Sequence, residues 1–447
     1  MTDTVFALAT APGRAAIAVM RVSGPATGDI VTQVCGPLPR ARRATLRTFR
    51  DAAGRVIDRG LILWFPGPGS YTGEDCAEFH IHGGPVLIDE LTRTLAQHGL
   101  RLAAPGEFSR RAFDNGRLEL DQVEAVADLI DAETSAQARQ ALGQLQGAIG
   151  RRFRLWREEL IGILSDLEGA IDFPDEELPP DLAGRAAGAL TVLRQSLAGA
   201  AVDATRGRRI RDGYKVAIIG APNAGKSSLF NYLLGRDAAI VTPVAGSTRD
   251  VIEAPLDLDG YRVLLADMAG IRDANEMVEL EGVRRARQWS AEADLRIWVV
   301  DGSSNDEQWR VAADLVSAGD LCVLNKSDLP AAAAAAAAGA AAAALSASVH
   351  SAQLVGVADE TIRSLVTSRV LADLAGGEFP AATRARHAAL IAAAQEDLSR
   401  ALGVFCEQPE LAAEDVRNAA KSLEGITGRI GSEDVLASIF SRFCIGK

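Results

Sequence analysis

The spacing of hydrophobic and polar positions follows three different patterns along the 447 residues of the chain. In roughly the first 115 residues, short apolar runs alternate with Gly and Pro turns, which predicts an α+β domain. From Leu118 to about residue 200, apolar residues such as Leu120, Val123 and Val126 recur at the spacing of amphipathic helices. Residues after about 380 return to this helical spacing.

Between the helical regions, short apolar runs end in loop residues and are separated by stretches of helix length. The runs are "YKVAIIG", "YRVLLAD", "LRIWVVDG" and "LCVLNKSD". This spacing is typical of a parallel sheet with crossover helices. We therefore predict a multidomain α/β and α+β protein whose helical domain is interrupted by an α/β domain. The predicted domains are 1–117 (α+β), 118–209 (first helical part), 210–375 (α/β) and 376–447 (second helical part).

Composition narrows the class of protein. A hydrophobic content of 48% and a charged content of 24% are those of a globular protein. The net charge of −12 argues against a broad basic surface for nucleic acid. We find neither a leader nor an apolar run of membrane-spanning length, so we expect a cytoplasmic protein. The cysteines include no CxxC pair, which gives no indication of a zinc site or a disulfide framework.

The basic residues are almost all arginine. Of 47 basic residues, the lysines are Lys215, Lys226, Lys326, Lys421 and Lys447. In such a chain a retained lysine suggests a position that arginine cannot fill. Two arginine clusters, at 40–50 and 206–212, could contact phosphates, although a solvated surface is the commoner role of such clusters.

A phosphate-binding motif lies between a predicted strand and a predicted helix. "GAPNAGKSS" at 220–228 fits G-x-x-x-x-G-K-[ST], whose backbone N–H groups bind phosphates. Lys226 is expected to reach the β- and γ-phosphate oxygens and Ser227 to ligate Mg²⁺. The expected nucleotide contacts in this motif are Asn223, Ala224, Gly225, Lys226, Ser227 and Ser228.

Two further segments are expected to sense the γ-phosphate. Asp267 and Gly270 have the spacing D-x-x-G, in which Asp267 would hold Mg²⁺ through water. Thr248 is the predicted switch threonine, with its hydroxyl on Mg²⁺. The expected contacts are Thr242, Pro243, Val244, Ala245, Gly246, Ser247, Thr248, Asp267, Met268, Ala269 and Gly270. After Gly270 comes Ile271, which cannot orient the attacking water as the glutamine of Ras-like GTPases does.

The base-reading motif is "NKSD" at 325–328. Asp328 can accept two hydrogen bonds from the N1–H and N2–H₂ groups of guanine, a pair that adenine lacks. Asn325 and Lys326 would buttress the base, and "SAS" at 346–348 would contact guanine O6 through a backbone amide. The expected base-side contacts are Asn325, Lys326, Ser327, Asp328, Ser346, Ala347 and Ser348. Together the motifs predict GTP rather than ATP.

These residues resemble the MnmE (TrmE) family of tRNA-modification GTPases. The GTPase motifs match, and so do "SYTGEDCAEFHIHGGP", "PGEFSRRAFDNGRLELDQVEAVADLIDA" and the terminal "FCIGK". The resemblance covers essentially the whole chain. It implies an N-terminal tetrahydrofolate-binding-like domain and a Ras-like P-loop GTPase domain set into the helical domain. One departure is Met268, where the family usually has threonine, and we expect only a modest effect on switch II.

The resemblance also implies a substitute for the missing glutamine. In this family K⁺ supplies the stabilising charge, bound here by Asn223 with oxygens from Thr242, Val244 and Ser247. Asn223, Lys226 and Glu279 are then the catalytic residues, with Glu279 orienting the attacking water. From the residues alone, a glutamate at a helix start is more often a cap or a solvated charge.

A second site is implied in the N-terminal domain. Arg21, Glu78, Arg117 and Lys447 match the positions that bind a tetrahydrofolate derivative, in its 5-formyl or methylene form. Without the resemblance each of these residues would read as an ordinary surface charge. Of the remaining candidates, His80 and His82 could bind a metal, but lack a third ligand, and Cys444 lacks a nearby base, so we expect no chemistry from them.

The implied function is modification of the wobble uridine of certain tRNAs at carbon 5, with an aminomethyl or carboxymethylaminomethyl group. The chain has no G-x-G-x-x-G fingerprint, so FAD is expected only on a partner, the flavoprotein MnmG. A homodimer and a heterotetramer with MnmG are implied, with tRNA held largely by the partner and no membrane involved.

Two alternatives differ in class. An Era-like GTPase switch in RNA binding or ribosome assembly would need a basic module after the GTPase domain, where this chain has Ala/Leu-rich helices. A stand-alone folate aminomethyltransferase with a vestigial GTPase domain conflicts with the intact nucleotide motifs. The alanine-rich run at 331–344 is assigned no function.

Overall fold

The chain forms two compact units. The computed structural model describes residues 3–172, 182–238, 252–268, 277–303, 307–326, 348–351, 360–376, 379–380, 382–405, 407–427, 439–440, 443 and 446. The first unit contains Met1–Ala127, Gln144–Leu193 and Ala393–Lys447, and the second contains Asp128–Gly143 and Arg194–Ala392. The units group residues by contact, so the boundaries of the four predicted domains remain predictions.

An N-terminal sheet with two helices on one face opens the first unit. Its elements are β1 (Val5–Leu8), β2 (Ala15–Ser23), α1 (Thr27–Cys35), β3 (Thr45–Arg50), β4 (Val56–Phe65), β5 (Cys76–Gly83), α2 (Pro85–Gln97), β6 (Arg101–Leu102) and α3 (Glu107–Asp114). The strand order is β3-β4-β5-β2-β1-β6, and neighbours are antiparallel except the parallel pair β1 and β6. This confirms the predicted α+β fold.

The pleat of this sheet separates core residues from polar ones. In β5, Ala77, Phe79 and Ile81 are buried in the core cluster that includes residues of α1 and α2. Because side chains of a strand alternate between faces, Glu78 and His80 lie on the opposite face. That face is therefore the one available for chemistry.

Helices follow the N-terminal sheet, as the apolar spacing predicts. They are α4 (Leu120–Ile130), α5 (Ser135–Leu145), α6 (Ala148–Asp172) and α7 (Leu182–Asp212). Leu160, Ile163 and Leu167 form part of the buried stripe of α6. The predicted break at 173–180 lies outside the described residues.

A second six-stranded sheet occupies the second unit. Its strands and helices are β7 (Tyr214–Ile219), α8 (Lys226–Ala238), β8 (Ile252–Leu258), β9 (Tyr261–Asp267), α9 (Met277–Glu292), β10 (Leu295–Asp301), a 3₁₀ segment (Glu307–Leu315), β11 (Leu321–Asn325), β12 (Ser348–Ser351) and α10 (Glu360–Leu374). The order is β12-β11-β10-β7-β9-β8. All neighbours are parallel except β8, which pairs antiparallel with β9. The predicted parallel sheet thus carries one antiparallel edge strand.

Both faces of this sheet are covered, which explains its continuous apolar runs. Val216 and Ile218 of β7 belong to one buried cluster, together with Leu229 of α8. Ile219 belongs to a second buried cluster, together with Trp298. The carboxyl ends of parallel strands all lie at the same end of the sheet. The end at which β7 leads into the phosphate loop therefore also carries the last residues of β9, β10 and β11, which are Asp267, Asp301 and Asn325.

The turn between β8 and β9 is tight. Gly260 has φ +83°, a left-handed conformation that favours glycine. Its N–H donates to Asp257 Oδ1 at 2.6 Å, and its carbonyl accepts from the N–H of Ala136 at 2.9 Å. A Cβ at this position would lie 2.3 Å from Ser135 Oγ. The hairpin is thereby seated on the start of α5.

Two long helices close the chain, α11 (Ala385–Val404) and α12 (Pro409–Thr427). Within the first unit, α12 packs along α6, with ion pairs Arg157–Glu424 at 2.7 Å and Arg417–Glu168 at 2.6 Å. The predicted return to helix after the α/β region is confirmed. Over the part of the chain that the structure describes, no helix has both the length and the apolar character needed to cross a bilayer.

Candidate functional site

The phosphate loop leaves β7 through a position that only glycine fits. Gly220 has φ +145°, and a Cβ there would lie 2.2 Å from the carbonyl oxygen of Val299 in the neighbouring strand β10. Asn223 and Gly225 follow with φ +62° and +105°. These left-handed residues turn the backbone sharply, so that α8 begins directly after the loop.

The lysine of the loop is buried against its backbone. The Lys226 side chain is 7% exposed, and its Nζ donates to the carbonyl oxygens of Gly220 at 3.0 Å and Ala221 at 2.9 Å. The ammonium group is thus held inside the turn, where an incoming phosphate would find a positive charge with little water around it.

A hydroxyl and a carboxylate meet beside the loop. Ser227 Oγ donates to Asp267 Oδ2 at 2.7 Å. Asp267 is 2% exposed, and its Oδ1 is buried without a hydrogen-bond partner among the described residues. Oxygen ligands of this kind are those that Mg²⁺ prefers. The pair therefore fits the predicted magnesium site.

Met268 points away from this chemistry. Its side chain is fully buried in the cluster that contains Ala217 and Trp298, and its N–H donates to the carbonyl of Ile218 at 3.1 Å. The residue extends the hydrophobic core below the D-x-x-G motif. A methionine is flexible enough to fill such a space without displacing Asp267.

The base-side motif is tied to the phosphate loop. Asn325 is 1% exposed, and its Nδ2 donates to the carbonyl of Ala224 at 2.8 Å. Its Oδ1 accepts the N–H of Lys326 at 2.8 Å, and Lys326 has φ +59°. Asn325 therefore connects the end of β11 to the loop that follows β7.

An acidic residue that the sequence motifs do not include lies beside Lys326. Lys326 Nζ donates to Asp301 Oδ2 at 2.5 Å, and Asp301 Oδ1 accepts from Ser303 Oγ at 2.6 Å. Burial opposes ionisation of Asp301, but the hydrogen bonds from Lys326 and Ser303 outweigh it and lower the pKa of Asp301. The carboxylate is charged at neutral pH.

Several predicted contacts lie outside the described residues. They are Thr242, Pro243, Val244, Ala245, Gly246, Ser247, Thr248, Ala269, Gly270, Ser327, Asp328, Ser346, Ala347 and Lys447. Ser348 is the first residue of β12, and Glu279 is the third residue of α9. The roles predicted for all of these residues remain predictions.

In the N-terminal sheet, Arg21 and Glu78 are directly paired. They are register partners on β2 and β5, and Glu78 Oε1 accepts from Arg21 Nε at 3.1 Å and Nη2 at 2.9 Å. His80 and Arg21 lower the pKa of Glu78 against the effect of burial. Because His80 Nε2 lies 3.5 Å from Glu78 Oε2, the shorter Arg21 contact is the firmer of the two.

Two aromatic rings lie close to Arg21 of this pair. The Arg21 guanidinium lies 5.5 Å from the ring centre of Tyr71 and 5.6 Å from that of Phe108. Arg117 is exposed, and a Cβ on Gly73 would lie 3.2 Å from its Cγ. Arg117 therefore lies beside the loop that carries Tyr71.

The two histidines singled out by the sequence have carboxylate neighbours. His80 faces Glu78, and His82 Nδ1 lies 2.9 Å from Asp58 Oδ1. Within the described residues, no group of three or more His, Cys, Asp or Glu side chains is arranged to hold a metal ion.

The arginine cluster at 206–212 is engaged with carboxylates of its own unit. Arg209 contacts Asp294 at 2.7 Å, and Arg211 contacts Asp128 at 3.0 Å. These charges are used in ion pairs within the protein, which argues against the phosphate contact considered for this cluster.

Sequence reasoning overlooked Asp301, Tyr71 and Phe108. Asp301 could have been found, since it is an acidic residue at the carboxyl end of a predicted parallel strand, where ligands bind. Tyr71 and Phe108 gave no such indication, because their contact with Arg21 depends on how a loop and a helix pack against the sheet.

Family models match both parts of the chain. The model of the MnmE helical domain matches residues 120–444. The model of the GTP-binding protein TrmE N-terminus matches residues 4–117.

Curated relatives align from end to end. The tRNA modification GTPase MnmE of Phenylobacterium zucineum (strain HLK1) is 54% identical over 448 residues, which is 100% of either chain. The protein of the same name from Caulobacter vibrioides is 53% identical over 448 residues, and that from Maricaulis maris is 46% identical over 449 residues, again over 100% of each chain. The chain belongs to the MnmE family of tRNA modification GTPases.

Proposed function

We propose that this GTPase depends on potassium and takes part in modification of the wobble uridine of certain tRNAs. With an FAD-containing partner it adds an aminomethyl or carboxymethylaminomethyl group to carbon 5, and a folate derivative donates the one-carbon unit. The observation that carries the proposal is the presence of two sites of different chemistry in one chain of MnmE type. One site is the phosphate loop beside Asp267, and the other is the Arg21–Glu78 pair.

Magnesium is proposed at the end of β9. Ser227 would ligate it directly, Asp267 through water, and Thr248 from the switch segment. The buried Asp267 oxygen that has no partner among the described residues supports this assignment. The ion would neutralise charge on the β- and γ-phosphates, while Lys226 and the loop N–H groups hold the same phosphates in place.

Potassium is proposed at Asn223. The side chain of Asn223 is exposed. Its amide oxygen would bind K⁺ together with oxygens of Thr242, Val244 and Ser247. The ion would supply positive charge near the bond that breaks, the contribution that an arginine makes in other GTPases.

Glu279 is proposed to orient the attacking water, in place of the glutamine that Ile271 replaces. Its backbone lies in the first turn of α9, which follows the D-x-x-G segment in the chain. A carboxylate there is also stabilised by the helix N-terminus. Contact of two GTPase domains in a homodimer would order the switch segments for hydrolysis.

A tetrahydrofolate derivative, in its 5-formyl or methylene form, is proposed at the N-terminal site. Glu78 would accept hydrogen bonds from the guanine-like edge of the pterin ring, while Arg21 fixes the carboxylate. Arg117 and Lys447 would meet the negatively charged glutamate tail. The ring of Tyr71, which is partly exposed and lies close to Arg21, supports a site for a flat ring.

The proposed partner is the one that the family resemblance implies, and the charge of the chain agrees with it. With a net charge of −12, the chain is poorly suited to hold tRNA by itself, so the flavoprotein MnmG would provide most of that surface in a heterotetramer. The proposal places the reaction in the cytoplasm, where GTP and tRNA are found.

Nucleoside mass spectrometry of tRNA from a deletion strain tests the function. We expect the modified wobble uridine to disappear, to return with the intact gene, and not to return with Lys226→Ala. Lys215→Ala is the matched control, because Lys215 lies at the opposite end of β7 and pairs with Glu292 at 3.0 Å. Normal modification in the deletion strain would favour the Era-like switch instead.

A further inference from the structure

The base side of the nucleotide site begins at the last pair of residues that two parallel strands share. Asp301 of β10 and Asn325 of β11 are register partners, and each is the final residue of its strand. Beyond this pair, the N–H of Gly302 donates to the carbonyl of Asn325 at 2.8 Å. The backbones on both sides of the site are therefore fixed where the strands end.

The Asp301 carboxylate is held at both oxygens. Oδ1 accepts from Ser303 N at 3.0 Å and from Ser303 Oγ at 2.6 Å. Oδ2 accepts from Lys326 Nζ at 2.5 Å. The side chains of Lys326 and Asp301 are 29% and 22% exposed, so the ion pair is only partly open to solvent. Such a pair is stronger than the exposed pairs whose net effect is small.

This ion pair continues into the phosphate loop. Lys326 adopts a left-handed backbone with φ +59°, and its N–H donates to Asn325 Oδ1 at 2.8 Å. Asn325 Nδ2 in turn donates to the Ala224 carbonyl at 2.8 Å. A continuous chain of polar contacts thus runs from Asp301 through Lys326 and Asn325 to the loop that binds phosphate.

We propose that Asp301 is a positioning residue for guanine binding, which holds the Lys326 side chain so that its stem offers a fixed surface to the base. The inference rests on the proposed role of residues 325–328 in reading guanine. A lysine stem that is already ordered loses less rotamer freedom when the base arrives. Since GTP and GDP carry the same base, Asp301 contributes equally to both and to the transition state.

Asp301→Asn tests this role, since it keeps the shape and removes the charge. We expect the Kd values for GTP and GDP to rise together by about tenfold, with kcat within about twofold of normal, as for a loss of uniform binding. Binding of fluorescent guanine nucleotides and steady-state hydrolysis measure the two quantities. Asp320→Asn is the matched control. Asp320 directly precedes β11, at the end of the strand opposite to Asn325, and its carboxylate pairs with Arg296 at 2.7 Å. It should leave both Kd values unchanged.

A thermodynamic cycle separates positioning from general damage. Lys326→Met keeps an apolar stem without the charge, so Asp301→Asn should add no further loss of affinity in that background. An equal loss in both backgrounds, or no loss in the unmodified chain, overturns the inference.

Asp328→Asn tests the underlying assignment separately. An asparagine amide can donate where the carboxylate accepted, so the variant should shift preference from GTP to XTP. Retained preference for GTP would refute the base assignment itself, whatever Asp301→Asn does.

Discussion

Asn223 combines an unusual backbone conformation with an exposed amide side chain. Its φ of +62° lies in the left-handed region, which asparagine tolerates better than most residues other than glycine. Alanine at this position would therefore add backbone strain and also remove the amide oxygen. Glycine would remove the oxygen without strain, so the two variants together isolate the contribution of the side chain.

We expect GTP hydrolysis to be at least about tenfold faster in KCl than in NaCl, because the proposal assigns the stabilising charge to K⁺ bound at Asn223. Asn223→Ala and Asn223→Gly should both abolish the difference, measured as phosphate release at equal ionic strength.

In the same assay, Glu279→Ala should keep nucleotide affinity and lose turnover in both salts. Equal rates in the two salts for the unmodified chain, or a near-normal kcat for Glu279→Ala, would contradict these assignments.

The nearness of Ser227 to Asp267 could be predicted from the sequence, because both belong to motifs with a fixed relation to neighbouring parallel strands. The pairing of Asp301 with Lys326 could not, because it depends on the register of β10 against β11. The same holds for Arg21 and Glu78, each of which was selected by resemblance as a separate charge. The side-chain pairs that could not be predicted from sequence motifs are therefore those that join neighbouring strands.

Of the strands in the second sheet, β12 and β8 were not predicted from sequence patterns, and β8 shows why. Its sequence "IEAPLDL" contains Pro255, and proline within a run lowers the expectation of a strand. The structure places β8 at the edge of the sheet, where a missing N–H is tolerated. The strands buried on both faces were predictable because their apolar runs are short, rich in Val and Ile, and followed by turn residues, which favours a strand over a helix.

Gly260→Ala should destabilise the second unit more than its left-handed backbone alone requires. The matched control is Gly54→Ala, since Gly54 has φ +79° but nothing within 4 Å of its would-be Cβ. We expect the control to cost on the order of 1 kcal/mol and Gly260→Ala clearly more, because its Cβ would meet Ser135 Oγ. Ser135→Ala should restore part of the difference. Calorimetric unfolding of Gly54→Ala, Gly260→Ala and the double variant Gly260→Ala/Ser135→Ala measures this, and equal losses of stability for the two glycine variants would contradict the prediction.

At the scale of the whole molecule, the two candidate sites lie in different compact units. Arg21 and Glu78 belong to the first unit, and residues 220–228 to the second. The fold class of each unit's sheet was predictable, because the apolar runs of the two sheets differ in their spacing along the sequence. The composition of the units was not, because α5 and α7 each contribute residues to both.

Glu78→Gln should weaken binding of 5-formyltetrahydrofolate by about tenfold or more, because the amide carries no charge and one fewer acceptor. The kcat and KM for GTP should stay unchanged, since Glu78 belongs to the other unit. Asp58→Asn, on the same sheet and paired with His82, is the control that should leave folate binding intact. Isothermal titration of the full chain decides the matter, and unchanged folate affinity in Glu78→Gln would remove that residue from the site.

The shared final pair of residues of β10 and β11 also restricts how the chain can vary in length. A residue gained or lost in either strand would displace Asp301 or Asn325 by about 3.3 Å and turn its side chain to the other face. Insertions and deletions must then fall outside these strands in the sequence, for example among residues 331–344, which come between β11 and β12 along the chain. Strand length is in this sense part of nucleotide recognition.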